Sequence, residues 1–103
     1  MENATKQYIY VIRPIERLRK EENWTKKEED IVSDHFNALV RLKEEGKLIL
    51  AGKTDGLDDS TFGIVIFEAE TDEEALAIMN GDPAVAQGVM TAELFPYRVA
   101  IAR

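Results

Sequence analysis

An α+β domain ordered β-α-β-β-α-β is predicted by three features of the sequence. Short runs of β-branched and aromatic residues mark strands, two amphipathic stretches open on capping boxes, and the two kinds of segment alternate along the chain. That order suits a ferredoxin-like architecture, in which a four-stranded antiparallel sheet carries both helices on one face. At 103 residues the chain has the size of one domain, so residues 1–103 are read as a single unit.

Tyr8-Ile9-Tyr10-Val11-Ile12 forms the first strand, and Pro14, which lacks a ladder donor, closes it. Residues 15 to 24 set Glu16, Arg17, Arg19, Lys20, Glu21 and Glu22 around Leu18 and Trp24. They read as a loop with one helical turn, too short and polar for a core element. Thr25-Lys26-Lys27-Glu28 fits a capping box, in which the threonine hydroxyl takes the N3 amide and the glutamate reaches back to the cap amide. The helix that it opens runs to Glu45 and ends at Gly46, the residue type suited to the left-handed position past a helix. Lys47 to Ala51 forms the second strand, and Gly52 to Ser60, with two glycines and three aspartates, is turn-rich. Phe62 to Ala69 is the third strand. A second capping box, Thr71-Asp72-Glu73-Glu74, opens a helix through Met79 that stops at Asn80-Gly81. Asp82-Pro83 then reads as the N-cap and N1 pair of a short turn to Gln87, ended by Gly88. The last strand is expected over Ala92 to Ile101, with Phe95, Tyr97, Val99 and Ile101 on one face.

Strand alternation carries a further consequence. In the third strand Gly63, Val65, Phe67 and Ala69 oppose Phe62, Ile64 and Ile66; in the first, Ile9 and Val11 oppose Tyr8, Tyr10 and Ile12. Both faces are apolar, and two helices cover only one. The other face must meet a second sheet or enclose a ligand, and a homodimer packed through its sheets is the preferred solution.

Composition narrows the partners. Thirteen Lys and Arg against 20 Asp and Glu give a net charge of −7, which repels a phosphate backbone, so nucleic acid is not an expected partner. With no cysteine and one histidine there is no thiolate nucleophile, no disulfide framework and no Cys/His zinc site. No spaced carboxylate cluster suggests a hard metal, and no cofactor is expected. Gly52-Lys53-Thr54-Asp55-Gly56 lacks the spacing of a phosphate loop, and a turn explains its glycines. Met1 to Gln7 shows no basic segment before an apolar core, and no run reaches membrane-span length, so a cytoplasmic protein is expected.

On a helical wheel of about 100° per residue, His35 lies near the centre of the sector holding Ile31, Val32, Leu39 and Leu42. The imidazole therefore points inward, whereas the adjacent Asp34 projects away. His35 has two readings: a general acid or base, since imidazole titrates near neutral pH, or a core histidine bonded to a backbone carbonyl. Asp82 is a helix cap by position, and the turn that holds it can approach the first helix. Arg13, at the end of strand one, is a candidate for an anionic substrate group or for an ion pair with a nearby glutamate. Trp24 can lid a pocket beside the first helix or anchor its loop onto the core, and Tyr10 is open to the same two readings.

The stretch from His35 reading H-F-N-A-L-V-R-L-K-E-E-G-K-L-I-L-A-G, with Gly63-Ile64-Val65-Ile66-Phe67-Glu68, Glu74-Ala75 and Gly81-Asp82-Pro83-Ala84-Val85-Ala86-Gln87-Gly88, resembles the YCII-related family over about residues 8 to 101. The resemblance implies a dimeric α/β-barrel assembly and an active site using a histidine and an aspartate, which correspond to His35 and Asp82. One branch of the family is similar to enzymes that remove chloride from hydroxylated aromatics, and the wider superfamily includes lactone isomerases and cofactor-free oxygenases. These chemistries move a proton on a small cyclic substrate. A small-molecule lyase, isomerase or dehydrochlorinase is the implied activity, with a noncatalytic dimeric metabolite-binding module as the alternative. Two departures stand out: Lys53 follows Gly52 where many relatives carry proline, and the charged segment Ile15 to Asp30 lengthens the link into the first helix.

Overall fold

The computed structural model describes residues 5–103; Met1 to Ala4, part of the stretch read above for a targeting segment, lie outside the described residues. Among these residues the strands β1 (Lys6–Pro14), β2 (Leu48–Lys53), β3 (Gly63–Ala69) and β4 (Met90–Tyr97) pair antiparallel in the order β2-β3-β1-β4. The helices α1 (Lys26–Glu44), α2 (Asp72–Gly81) and the single turn α3 (Pro83–Ala86) complete the ferredoxin-like β-α-β-β-α-β order. No described helix is long and apolar enough to cross a membrane.

The period-two pattern of β1 divides the molecule. Tyr8, Tyr10 and Ile12 pair with Phe67, Val65 and Gly63 on the helix side, where with Ala75 and Met79 they build the main core. The Tyr10 ring meets Phe67 edge-on at 5.7 Å between centroids. Gly63 allows a close approach, since a Cβ there would lie a tight 3.2 Å from both the Gly52 carbonyl oxygen and Ile12. On the other side, Ile9 lies between Ile66 and Phe95, Val11 pairs with Ile64, and Leu50 pairs with Ile66. This face has no helix over it: Phe95 is 45% and Leu50 47% exposed.

Three local expectations are corrected. The segment before α1 is not peripheral: it forms two 3-10 turns, Glu16–Arg19 and Glu21–Asn23, and buries Leu18 completely against Ile31, Ala84 and Val89. Ile15 and Trp24 pack beside it, while Arg17 pairs with Glu28 and Arg19 donates to the Pro14 carbonyl at 3.1 Å. β4 ends at Tyr97 rather than Ile101, since β1, its only ladder neighbour, begins at Lys6 and the register runs out at the Gln7–Tyr97 pair. At α2, Thr71 accepts the Glu74 amide as expected, but the Glu74 carboxylate accepts from the Glu70 amide at 2.7 Å, not from the cap residue. The first capping box forms in full: the Thr25 amide donates to the Glu28 carboxylate at 2.8 Å, and the Thr25 hydroxyl donates to the same oxygen.

Candidate functional site

His35 lies near the middle of α1, whose apolar stripe turns it toward the sheet, and its side chain is 12% exposed. Asp82 is fixed by its place in the chain. It closes α2 and caps α3, where its Oδ1 accepts the Ala84 amide at 2.9 Å while Pro83 presets the first helical position. This tight corner points the carboxylate at α1, and His35 Nδ1 stands 2.7 Å from Oδ1 and 2.8 Å from Oδ2. From the sheet, the Tyr10 hydroxyl donates to Oδ2 at 2.6 Å.

The electrostatics follow from burial. Asp82 is 4% and Tyr10 1% exposed, so each depends on protein partners in place of water. Burial, then the Asp82 charge and the hydrogen bond to it, push the Tyr10 hydroxyl far above its ordinary range, so that it keeps its proton and donates at neutral pH. Facing a carboxyl group that already accepts from Tyr10 and the Ala84 amide, Nδ1 is assigned as the donor of the contact. Nε2 is then the ring nitrogen with no protein hydrogen bond among the described residues.

His35 borders a cavity of about 390 Å³ between α1, the helix side of the sheet and the loop joining β2 to β3. Its walls are mainly apolar, with Ile12, Leu39, Val65 and Met90 at the sides and Trp24 and Phe36 among its aromatic residues. A volume of this size falls within the range of about 300–1,000 Å³ usual for small-ligand pockets. A smaller groove of about 230 Å³ between α1 and α2 reaches Tyr10 and Asp82 but not His35. Among the described residues no group of three or more His, Asp or Glu side chains is placed to hold a metal ion.

The structure brings His35, Asp82 and Tyr10 together. Tyr10 stands behind the carboxylate, outside the lining of the larger cavity. Trp24 does both things open to it, donating from its indole to the Leu18 carbonyl at 2.7 Å while lining the cavity. Arg13 stands apart: its side chain leaves β1 on the helix-free face, and its guanidinium lies 5.4 Å from the centre of the Phe62 ring. Among the described residues it pairs with no glutamate and does not line the larger cavity, because odd positions of β1 face away from the helices. Phe36, Lys53 and Thr61 also line the cavity and were not among the candidates. Strand parity beside Ala51 was the available signal for Lys53; Thr61 lies in a loop, where no periodicity applies.

The family model described as the YCII-related domain matches residues 9–97. Among solved structures, the chain is similar to 5-chloro-2-hydroxyhydroquinone dehydrochlorinase (TftG) from Burkholderia phenoliruptrix AC1100, in complex with 2,5-dihydroxybenzoquinone, with a TM-score of 0.67. The two share 20% sequence identity, with 89% of this chain and 93% of that one covered. At that identity the likeness establishes a common fold. No curated protein matches the chain.

Proposed function

The chain belongs to the YCII-related family, and on that footing we propose that it is a small-molecule enzyme in which His35 transfers a proton on a cyclic, hydroxylated substrate. The observation that carries this reading is the contact of His35 Nδ1 with the buried Asp82 carboxylate at 2.7 Å, with Nε2 unbonded and the ring at the wall of a cavity. A core histidine satisfied by a backbone carbonyl would need neither the carboxylate nor the cavity.

In this reading Nε2 accepts a proton from a ring hydroxyl or C–H group. The electron pair so released forms a C=O or C=C bond while the displaced π pair takes the proton back from Nε2 at another ring carbon, an isomerisation. Where that carbon bears a halogen, Nε2 next accepts a hydroxyl proton and the halide leaves with its bonding pair as the double bonds shift. Asp82 holds the tautomer and stabilises the imidazolium as it forms, and no cofactor is invoked. The apolar walls suit a planar ring of the size named for the dehydrochlorinase neighbour. The active unit is a homodimer closed through the helix-free sheet face.

A panel of small cyclic and halogenated hydroxy compounds, scored first by thermal shift and then by chloride or product release, tests the reading. For any substrate found, His35→Asn should lower kcat by about 10²–10⁴, the usual contribution of a general acid–base group. Turnover unchanged in His35→Asn would overturn the role. Ligand stabilisation without product across the panel, surviving loss of His35, would instead identify a noncatalytic binding module, which the mainly apolar lining also suits.

A further inference from the structure

The lining of the larger cavity carries a charge pattern that proton transfer by His35 does not explain. The whole chain has a net charge of −7, yet no carboxylate appears among the described residues lining this cavity. Its one permanently charged lining residue among them is Lys53, at the end of β2 on the same sheet face as Ala51 and opposite Gly63. The ammonium is anchored: Nζ donates to the Thr54 carbonyl at 2.6 Å and to the Gly56 carbonyl at 3.2 Å. Three donors serve two acceptors, so one N–H is left for another partner. Among the described residues none of the loop's acidic groups, Asp55, Asp58 and Asp59, forms an ion pair with it. Asp58 accepts from the Ser60 amide and hydroxyl, which hold its carboxyl below the ordinary range, and Asp59 stands nearest Arg19.

Resting on the reading of this cavity as a substrate site, we propose that Lys53 is a specificity-determining residue and that the cavity takes a monoanionic planar ring, its carboxylate or phenolate oxygen on Lys53 and its ring among the apolar walls. Lys53 is exposed at the rim of the apolar enclosure, where its ammonium favours an anion through a charge-assisted hydrogen bond. Among the described residues the carboxylates of this acidic protein lie outside the lining, so the selectivity is local. An anchored ammonium also loses little side-chain freedom when the ligand arrives.

Trp24, the single tryptophan, lines the same cavity and reports its occupancy. Quenching of its emission should be titrated with benzoate and with benzamide, which have nearly the same shape and differ in charge. Benzoate should bind at least about tenfold more tightly, as a hydrogen bond to a charged group implies, and its affinity should fall with added sodium chloride. Lys53→Met should abolish the preference, and Lys53→Arg should restore most of it. Equal binding of the two probes, a preference that survives Lys53→Met, or no quenching by either at millimolar concentration would overturn the proposal. The two readings fail separately. Lys53-dependent benzoate binding in a protein without turnover supports this inference and removes the catalytic one. Turnover of neutral rings that is lost in His35→Asn but unchanged in Lys53→Met does the reverse.

Discussion

The Asp82 carboxylate draws its donors from separate elements: the imidazole of α1, the phenol of β1 and the Ala84 amide of α3. Removing the phenol exposes the others to a changed balance. Tyr10→Phe keeps the ring against Phe67 but leaves one lone pair of a buried carboxylate unmet, and a hydrogen bond to a charged group contributes about 1.5–3 kcal/mol. Denaturant unfolding should show a loss of that order at unchanged m-value, and kcat, once a substrate is known, should fall less than in His35→Asn. Full retention of stability would mean that water replaces the hydroxyl. The inward direction of His35 was legible, because helical periodicity fixes which way a side chain points. Its partner Asp82 was named by the family resemblance and not by periodicity, because it lies 47 residues away and the packing of α3 on α1 brings the two together. The adjacent Asp34, closer in sequence, is exposed.

Element by element, legibility tracked how local the governing interaction is. The capping box at Thr25 and the glycine stop at Gly46 depend on neighbours in the chain, and α1 forms between them. The end of β4 depends on where β1 begins, and the fate of the Glu74 carboxylate depends on the exit of β3 at Glu70. The first box makes a quantitative prediction. The Thr25 hydroxyl, and then the Thr25 amide, hold the Glu28 carboxyl down to about 2 from an ordinary 4.5. A carboxyl whose folded value is depressed stabilises the fold fully above its unfolded value, and that contribution disappears as pH falls from about 4.5 toward about 2. Glu28→Gln should therefore flatten the acid limb of Tm against pH over that window while leaving the neutral-to-alkaline limb parallel to the wild type. Thr25→Ala should cost about 1 kcal/mol at neutral pH, the usual value of an N-cap. An acid limb of unchanged steepness in Glu28→Gln would place the acid sensitivity elsewhere.

At the scale of the whole molecule, the sheet has one face covered by helices and one that is not. The uncovered face holds the half-buried Ile9, Val11 and Ile64 and the buried Ile66 on its central strands, with the exposed Phe95 and Leu50 to either side. An isolated antiparallel sheet with a solvated face alternates apolar with polar residues; here the alternation fails on the two central strands, β1 and β3. Arg13 over Phe62 and Glu93 opposite Val11 bring charge toward one end of the face and Glu68 opposite Gln7 brings it to the other, around the apolar pairs of Ile9 with Ile66 and Val11 with Ile64. A second copy meeting this surface buries such a centre inside a polar margin, the anatomy of a stable self-association interface, and needs about 800 Å² from each partner. Size-exclusion chromatography with light scattering should therefore report a dimer across micromolar concentrations. Phe95→Glu should shift it to monomer, because two like charges would be brought together and desolvated at the symmetric contact. The variant should keep its far-ultraviolet circular dichroism, since Phe95 contributes nothing to the helix-side core. A wild-type monomer at those concentrations would leave the apolar face without a protein partner and overturn the dimer.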